Sequence, residues 1–153
     1  MTIKQLTMLV LACAFGGAGS IPSARAADPA AVEVQITKLK NSTGSVVVCL
    51  WKEGSIDGFP NCHKGKPMAI LTAPANAPKV VFTNVEPGSY AISFFHDEKG
   101  TGIPETNLVG MPKNAIGLSN NPAVGITSPP TFVKAQFAVP AIVRHTIEAR
   151  YLF

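Results

Sequence analysis

Three histidines lie beyond the N-terminal region, and His96 stands directly before an acid, Asp97. A hydrolytic reading would need His96 close to a nucleophile such as Ser119, or to a carboxylate such as Glu105. Neighbouring residues of a strand point to opposite faces, so His96 and Asp97 do not pair with one another. Ser119 sits in Gly117-Leu118-Ser119-Asn120-Asn121, which is not the G-x-S-x-G of a nucleophile elbow. The structural reading is favoured. His96 should anchor the long segment after it through backbone carbonyls, Asn120-Asn121 should shape a turn, and His145 should be a partly buried structural residue.

Cysteine chemistry depends on where the chain goes. Lys4 precedes an apolar, uncharged stretch from Leu6 to Ala18, and Ala24-Arg25-Ala26 follows with small residues where signal peptidase needs them. This reads as a signal peptide over residues 1–26, with cleavage before Ala27 and a periplasmic or secreted destination. Reading Val10-Leu11-Ala12-Cys13 as a lipoprotein box is less favoured, because the apolar run continues past Cys13. Cleavage would leave Cys49 and Cys62 as the one remaining pair, and an oxidising compartment makes a disulfide the expected state. Two free buried thiols are the alternative. No C-x-x-C is present, and two cysteines alone cannot complete a zinc site.

Charge and hydropathy exclude further classes. With Lys4 and Arg25 gone, 13 basic residues become 11 against 9 acidic ones, and the formal charge falls from +4 to +2. The lysines are scattered and form no basic stripe with aromatics, which argues against nucleic acid as a partner. No second apolar segment is long enough for a transmembrane helix after signal cleavage. The C-terminal alternation through Ile147, Ala149, Tyr151 and Phe153 resembles a barrel-closing strand, but the strands are too few and too short for a membrane barrel.

The elements that must position these residues are strands. Val32, Val34 and Ile36 alternate with polar neighbours, whereas Ser45 to Trp51 is apolar on both faces, as a central strand requires. Loop composition from Lys52 to Lys66 places Cys62 where it could tie back to Cys49. Short strands are expected around Met68–Leu71 and Lys79–Val85, and the Glu86-Pro87-Gly88 turn leads into Ser89–His96 with Tyr90, Ile92 and Phe94 on one face. Two closing strands are expected to place Val133, Ala135, Phe137 and Val139 inward, and then Val143, His145, Ile147, Ala149 and Tyr151. The pattern predicts a single all-β domain over 27–153. It would be an antiparallel sandwich of about seven strands, immunoglobulin-like. Residues 97–130 break the rhythm, with five Gly, five Pro and five Asn or Asp in 34 residues. A loop that long is commonly functional, and its Leu108, Val109, Met111, Ile116, Leu118, Val124 and Ile126 could pack it as a cap.

Pro87, Gly88, Tyr90, Ala91, His96, Asp97 and Gly102 follow a pattern that continues through Asn107, Gly110 and Pro112. It runs on through Gly117, Ser119, Asn120 and Asn121 to Pro130, Phe132, Ala135 and Phe137. In these residues the chain resembles the bacterial domain of unknown function 2141 family. The stretch ending at Cys62 is similar to family members that pair it with a cysteine in the preceding Val-Cys-Leu strand. The resemblance implies an exported β-sandwich, similar to transthyretin-like or carboxypeptidase-regulatory-like domains, with no established activity. The family's His-Asp-x-Asn-x-Asn-Gly stretch looks like a calcium loop, which here would draw on Asp97, Thr101 and Glu105. Lys99 stands where an oxygen ligand is wanted, and Leu108 where an EF-hand has its bidentate glutamate. A structural turn capped by Asp97, with Gly100 and Gly102 at positive φ, is favoured instead.

The leading functional expectation is a non-catalytic binding or structural module that uses the 97–130 loop. His96, Asp97, Asn107, Ser119 and Asn120 are its candidate contacts, and its partner would be an envelope protein or a small ligand. A calcium-binding domain over 96–105 and a small periplasmic hydrolase are the alternatives. No cofactor other than calcium is in question.

Overall fold

The computed structural model describes residues 30–125, 130–140 and 142–153, so the proposed signal segment 1–26 and Ile126 lie outside the described residues. Eight strands and one helical turn are found among the described residues. They are β1 Ala30–Thr37, β2 Ser45–Lys52, β3 Ala69–Pro74, β4 Lys79–Val85, β5 Gly88–Asp97, β6 Ile116–Leu118, α1 Phe132–Ala135, β7 Phe137–Val139 and β8 Val143–Glu148. They build two sheets, a three-stranded one in the order β4-β1-β8 and a five-stranded one in the order β3-β2-β5-β6, with β7 also pairing β5. An Ile116–Arg150 bridge links the start of β6 to the chain just beyond β8.

Alternation decides which side chains meet. Val46, Val48 and Leu50 of β2 and Tyr90, Ile92 and Phe94 of β5 face the three-stranded sheet, where Val32, Val34, Ile36 and Ile147 close the main core. The intervening residues Val47, Cys49, Trp51, Ala91 and Phe95 point the other way and are also buried, in a second cluster with Cys62, Leu118, Phe132 and Ala135. Among the described residues no strand covers that outer face. Irregular chain does.

Three expectations are corrected. The sheet pairing is not wholly antiparallel, because β1 and β8, the first and last strands, run parallel from Val32–Val143 to Thr37–Glu148. The strand expected from Val133 onward begins instead as the helical turn α1. There Phe132 and Ala135 are buried three residues apart while Val133 is 77% exposed. Burying Phe132 on the outer face outweighs the period-two pattern, because Phe132 meets Phe59 edge to face at 5.8 Å. Finally, residues 97–130 are not one loop, since they contain β6 and a short hairpin around a Thr106–Pro112 bridge.

Candidate functional site

The outer face is held by the segment between β2 and β3. Cys49 of β2 is disulfide-bonded to Cys62, with Cα atoms 5.9 Å apart, so the loop ends on the sheet it left. Closing a loop of this length is worth about 3 kcal/mol in the chain-entropy picture. Ser93 of β5 adds a buried polar tie. Its hydroxyl accepts from the Trp51 indole Nε1 at 2.9 Å and donates to the Pro60 carbonyl at 2.8 Å. Phe59 packs edge to face on Trp51 at 5.4 Å. Gly65 crosses the Trp51 ring so closely that a Cβ there would lie 2.5 Å from the ring edge, which explains glycine at this position.

The second cover is the segment after β5. Asp97 is buried, and its carboxylate accepts the backbone N–H groups of Thr101 at 3.1 Å and Gly102 at 2.7 Å, while Gly100 and Gly102 adopt positive φ. This is a turn closed by a side chain. Further on, the Asn107 carboxamide accepts from Val109 N–H at 3.1 Å and Met111 N–H at 3.0 Å, and Lys113 N–H donates to the Glu105 carbonyl at 2.8 Å. The hairpin is therefore built by its own backbone and by asparagine side chains.

Between these two covers a cavity of about 480 Å³ opens onto the sheet. Its floor is Phe95, Ile116 and Leu118, one wall is Pro60 and the Cys62 side of the disulfide, and the other is Met111 and Pro112 of the hairpin. Among the described residues no Asp, Glu, Lys, Arg or His lines it. Gly117 is needed beneath it, because a Cβ would come within 2.3 Å of the Phe94 ring.

The residues singled out in the sequence are placed elsewhere. None of His96, Asp97, Asn107, Ser119 or Asn120 lines the cavity. His96 is fully buried, and its Nε2 donates to the Thr43 carbonyl at 2.7 Å, in the turn before β2. That corrects the expectation that its ring anchors the long segment. Only its backbone N–H does so, to Ala115 O at 2.9 Å. Ser119 is buried, accepts from Ile92 N–H at 2.9 Å and donates to the Ala135 carbonyl. His96 lies level with Ala115 and Ser119 with Ile92, four residues along β5, or about 13 Å at roughly 3.3 Å per residue. The two share no hydrogen bond: Ser119 and His96 Nε2 are committed to backbone and His96 Nδ1 lies 3.7 Å from a Glu98 carboxylate oxygen, so this geometry builds no Ser–His pair.

The asparagines are ties between elements. Asn120 donates to the Gln136 carbonyl at 2.8 Å. Asn121 donates to Thr146 O at 3.0 Å and accepts from Glu148 N–H at 2.8 Å, and both hold positive φ. Of the proposed calcium ligands, Asp97 is filled by backbone donors, Thr101 donates its hydroxyl to Ile103 O at 3.1 Å, and Glu105 is ion-paired with Lys99. Glu105 in turn holds the Lys99 ammonium above the usual lysine range, through their hydrogen bond. No cluster of three or more His, Cys, Asp or Glu side chains suited to a metal is found among the described residues.

Residues 34–146 match the family model described as an uncharacterized protein conserved in bacteria, DUF2141. The chain belongs to this family. Comparison with curated proteins and with solved structures produced no match. The DUF2141 segment contains both covers of the outer face and almost all of the cavity lining, Leu152 apart. No helix among the described residues of this DUF2141 chain is long and apolar enough to cross a membrane. Among the lining residues that residue-by-residue reading missed are Ser93 and Phe95 of β5. The signal that could have found them is Ala91-x-Ser93-x-Phe95, a second small or apolar face on a strand already counted as half-buried.

Proposed function

We propose that the chain is a non-catalytic binding module of the cell envelope that takes an uncharged apolar ligand into the cavity on the outer sheet face. In this reading residues 1–26 are the signal peptide, and 27–153 the exported domain. One observation carries it: the cavity has the size of a small-molecule site, is walled by Pro, Phe, Met, Ile, Leu and Val, and among the described residues offers no ionisable side chain for a charged substrate or for acid–base chemistry. The disulfide supports the destination, since such bonds persist in oxidising compartments.

Titration of the mature protein with the uncharged fluorophore N-phenyl-1-naphthylamine tests the reading. Saturable enhancement with one site per chain is expected. Met111→Asp, which puts a charge into the wall from a loop position, should weaken binding at least tenfold without a comparable loss of melting temperature. Absence of saturable binding, or equal affinity in Met111→Asp, would discard the proposal.

A further inference from the structure

The hairpin that walls the cavity also carries the most exposed large apolar side chains of the described residues. Leu108 is 107% exposed and Val109 78% exposed, at the tip between Asn107 and Gly110. This exposure is not the product of a slack loop. Asn107 N–H donates to Met111 O at 2.9 Å and Gly110 N–H to Asn107 O at 3.0 Å. Asn107 Oδ1 fixes the two N–H groups described above, and Glu105 N–H donates to the Asn114 carboxamide at 2.5 Å. The chain thus holds two apolar side chains in water on a hydrogen-bonded platform. The next three residues, Gly110, Met111 and Pro112, line the cavity. Tip and wall are one short piece of backbone.

The tip's size selects its partner. Two side chains cover far less than the roughly 800 Å² per partner of a stable protein interface. A bilayer surface, by contrast, accepts isolated Leu and Val side chains at the headgroup boundary, with affinity that grows with the apolar area inserted. Charge agrees. The hairpin's one carboxylate, Glu105 at its base, is ion-paired with Lys99, no Asp or Glu follows from Thr106 to Ile147, and Lys113 lies opposite Glu105, so no unpaired carboxylate on this stretch of chain opposes approach to lipid phosphates.

Resting on the cavity reading above, we infer that the Leu108-Val109 tip docks shallowly on a bilayer and that the cavity takes an acyl chain of an amphiphile from it. Docking through two side chains is weak and reversible, as a carrier or sensor of envelope lipid requires.

The test uses the mature protein and phosphatidylcholine vesicles, some containing a pyrene-acyl phosphatidylcholine. Wild type should co-float with vesicles and lower the pyrene excimer signal as labelled chains leave the bilayer. Leu108→Ser/Val109→Ser should reduce flotation at least fivefold and slow excimer loss. Its melting temperature and its affinity for soluble N-phenyl-1-naphthylamine should stay within twofold of wild type, because both side chains are already in solvent. Leu108→Trp supplies an independent readout: the chain's one native tryptophan, Trp51, is buried, so a blue shift on adding vesicles reports the tip. Flotation that is absent in wild type or unchanged in the double variant overturns the inference while leaving the cavity reading intact. Failure of wild type to bind the soluble probe overturns both.

Discussion

Leu50 and Trp51 are consecutive residues of β2 and both are fully buried, but Leu50 faces a second sheet and Trp51 faces a loop. On the inner side, β1, β4 and β8 present Val and Ile in register, and alternation alone closes the core. On the outer side the cover is irregular. It needs a disulfide, a buried serine bridging Trp51 to Pro60, and a glycine thin enough to pass the indole. Strands that repeat every two residues fit one another without remainder, whereas loops meet a flat sheet imperfectly. The remainder here is the cavity. Function in this fold is therefore expected where regular packing fails, on the face held by covalent and polar ties.

The largest test of this contrast removes the two neighbours in turn. Trp51→Ala should cost about 4 kcal/mol and Leu50→Ala about 3 kcal/mol of unfolding free energy, by loss of buried area plus the cavity left behind. Their local consequences should differ. Trp51→Ala removes the contact surface of Phe59 and Gly65 and the hydrogen bond to Ser93, so residues 53–67 should exchange amide hydrogens well below the global opening energy. Leu50→Ala should lower stability without a separate opening of that segment. Equal exchange profiles in the two variants would mean that the outer cover is no weaker a unit than the inner sheet.

Removing the clamp comes next. Cys49→Ala/Cys62→Ala should cost about 3 kcal/mol, chiefly by freeing the unfolded chain. If the outer face is where function resides, the same variant should also weaken binding of the apolar probe several-fold, because Cys62 and Pro60 form a wall. A variant that lost stability but kept full affinity would show that the noncovalent ties alone shape that wall. Chemical denaturation and probe titration on one preparation separate the two effects.

The same contrast explains what could be read from residues alone. The inner face was legible, since Val32-x-Val34-x-Ile36 and Tyr90-x-Ile92-x-Phe94 announce their period locally, and the doubly apolar Ser45–Trp51 announced a central strand. The Cys49–Cys62 pair was legible too, from count and spacing. The parallel pairing of β1 with β8 was not. It joins strands more than a hundred residues apart, and no local pattern distinguishes which way the last strand runs. Around Phe132 two patterns compete, Val133-Ala135-Phe137 at period two and Phe132-Ala135 at a helical spacing. The choice is made by Phe59 across the molecule. The cavity was least legible, being the gap between two segments some fifty residues apart. Polar residues drew attention instead, yet His96, Ser119, Asn120 and Asn121 are occupied in tying backbone.

A polar group on the inner, regular face yields the smallest effect. His145 of β8 stands opposite Val34, half-buried against the Phe137 ring with centroids 4.0 Å apart, and its buried Nε2 has no hydrogen-bond partner. Burial lowers its pKa below the ordinary histidine value of 6.5. The sign follows from the unfolded state binding the proton more readily. Above pH 6.5 both states are neutral and His145 costs nothing through ionisation. As pH falls through 6.5 toward the depressed folded value the unfolded chain protonates first, and stability is lost. His145→Leu, which keeps an apolar body against Phe137, should remove this part of the acid sensitivity. Melting temperatures measured from pH 8 down to pH 5 should diverge by no more than a few degrees, with the variant flatter. The cavity's affinity for an uncharged probe should not differ between the two proteins over that range, because the inner face titrates and the outer cavity contains nothing that does.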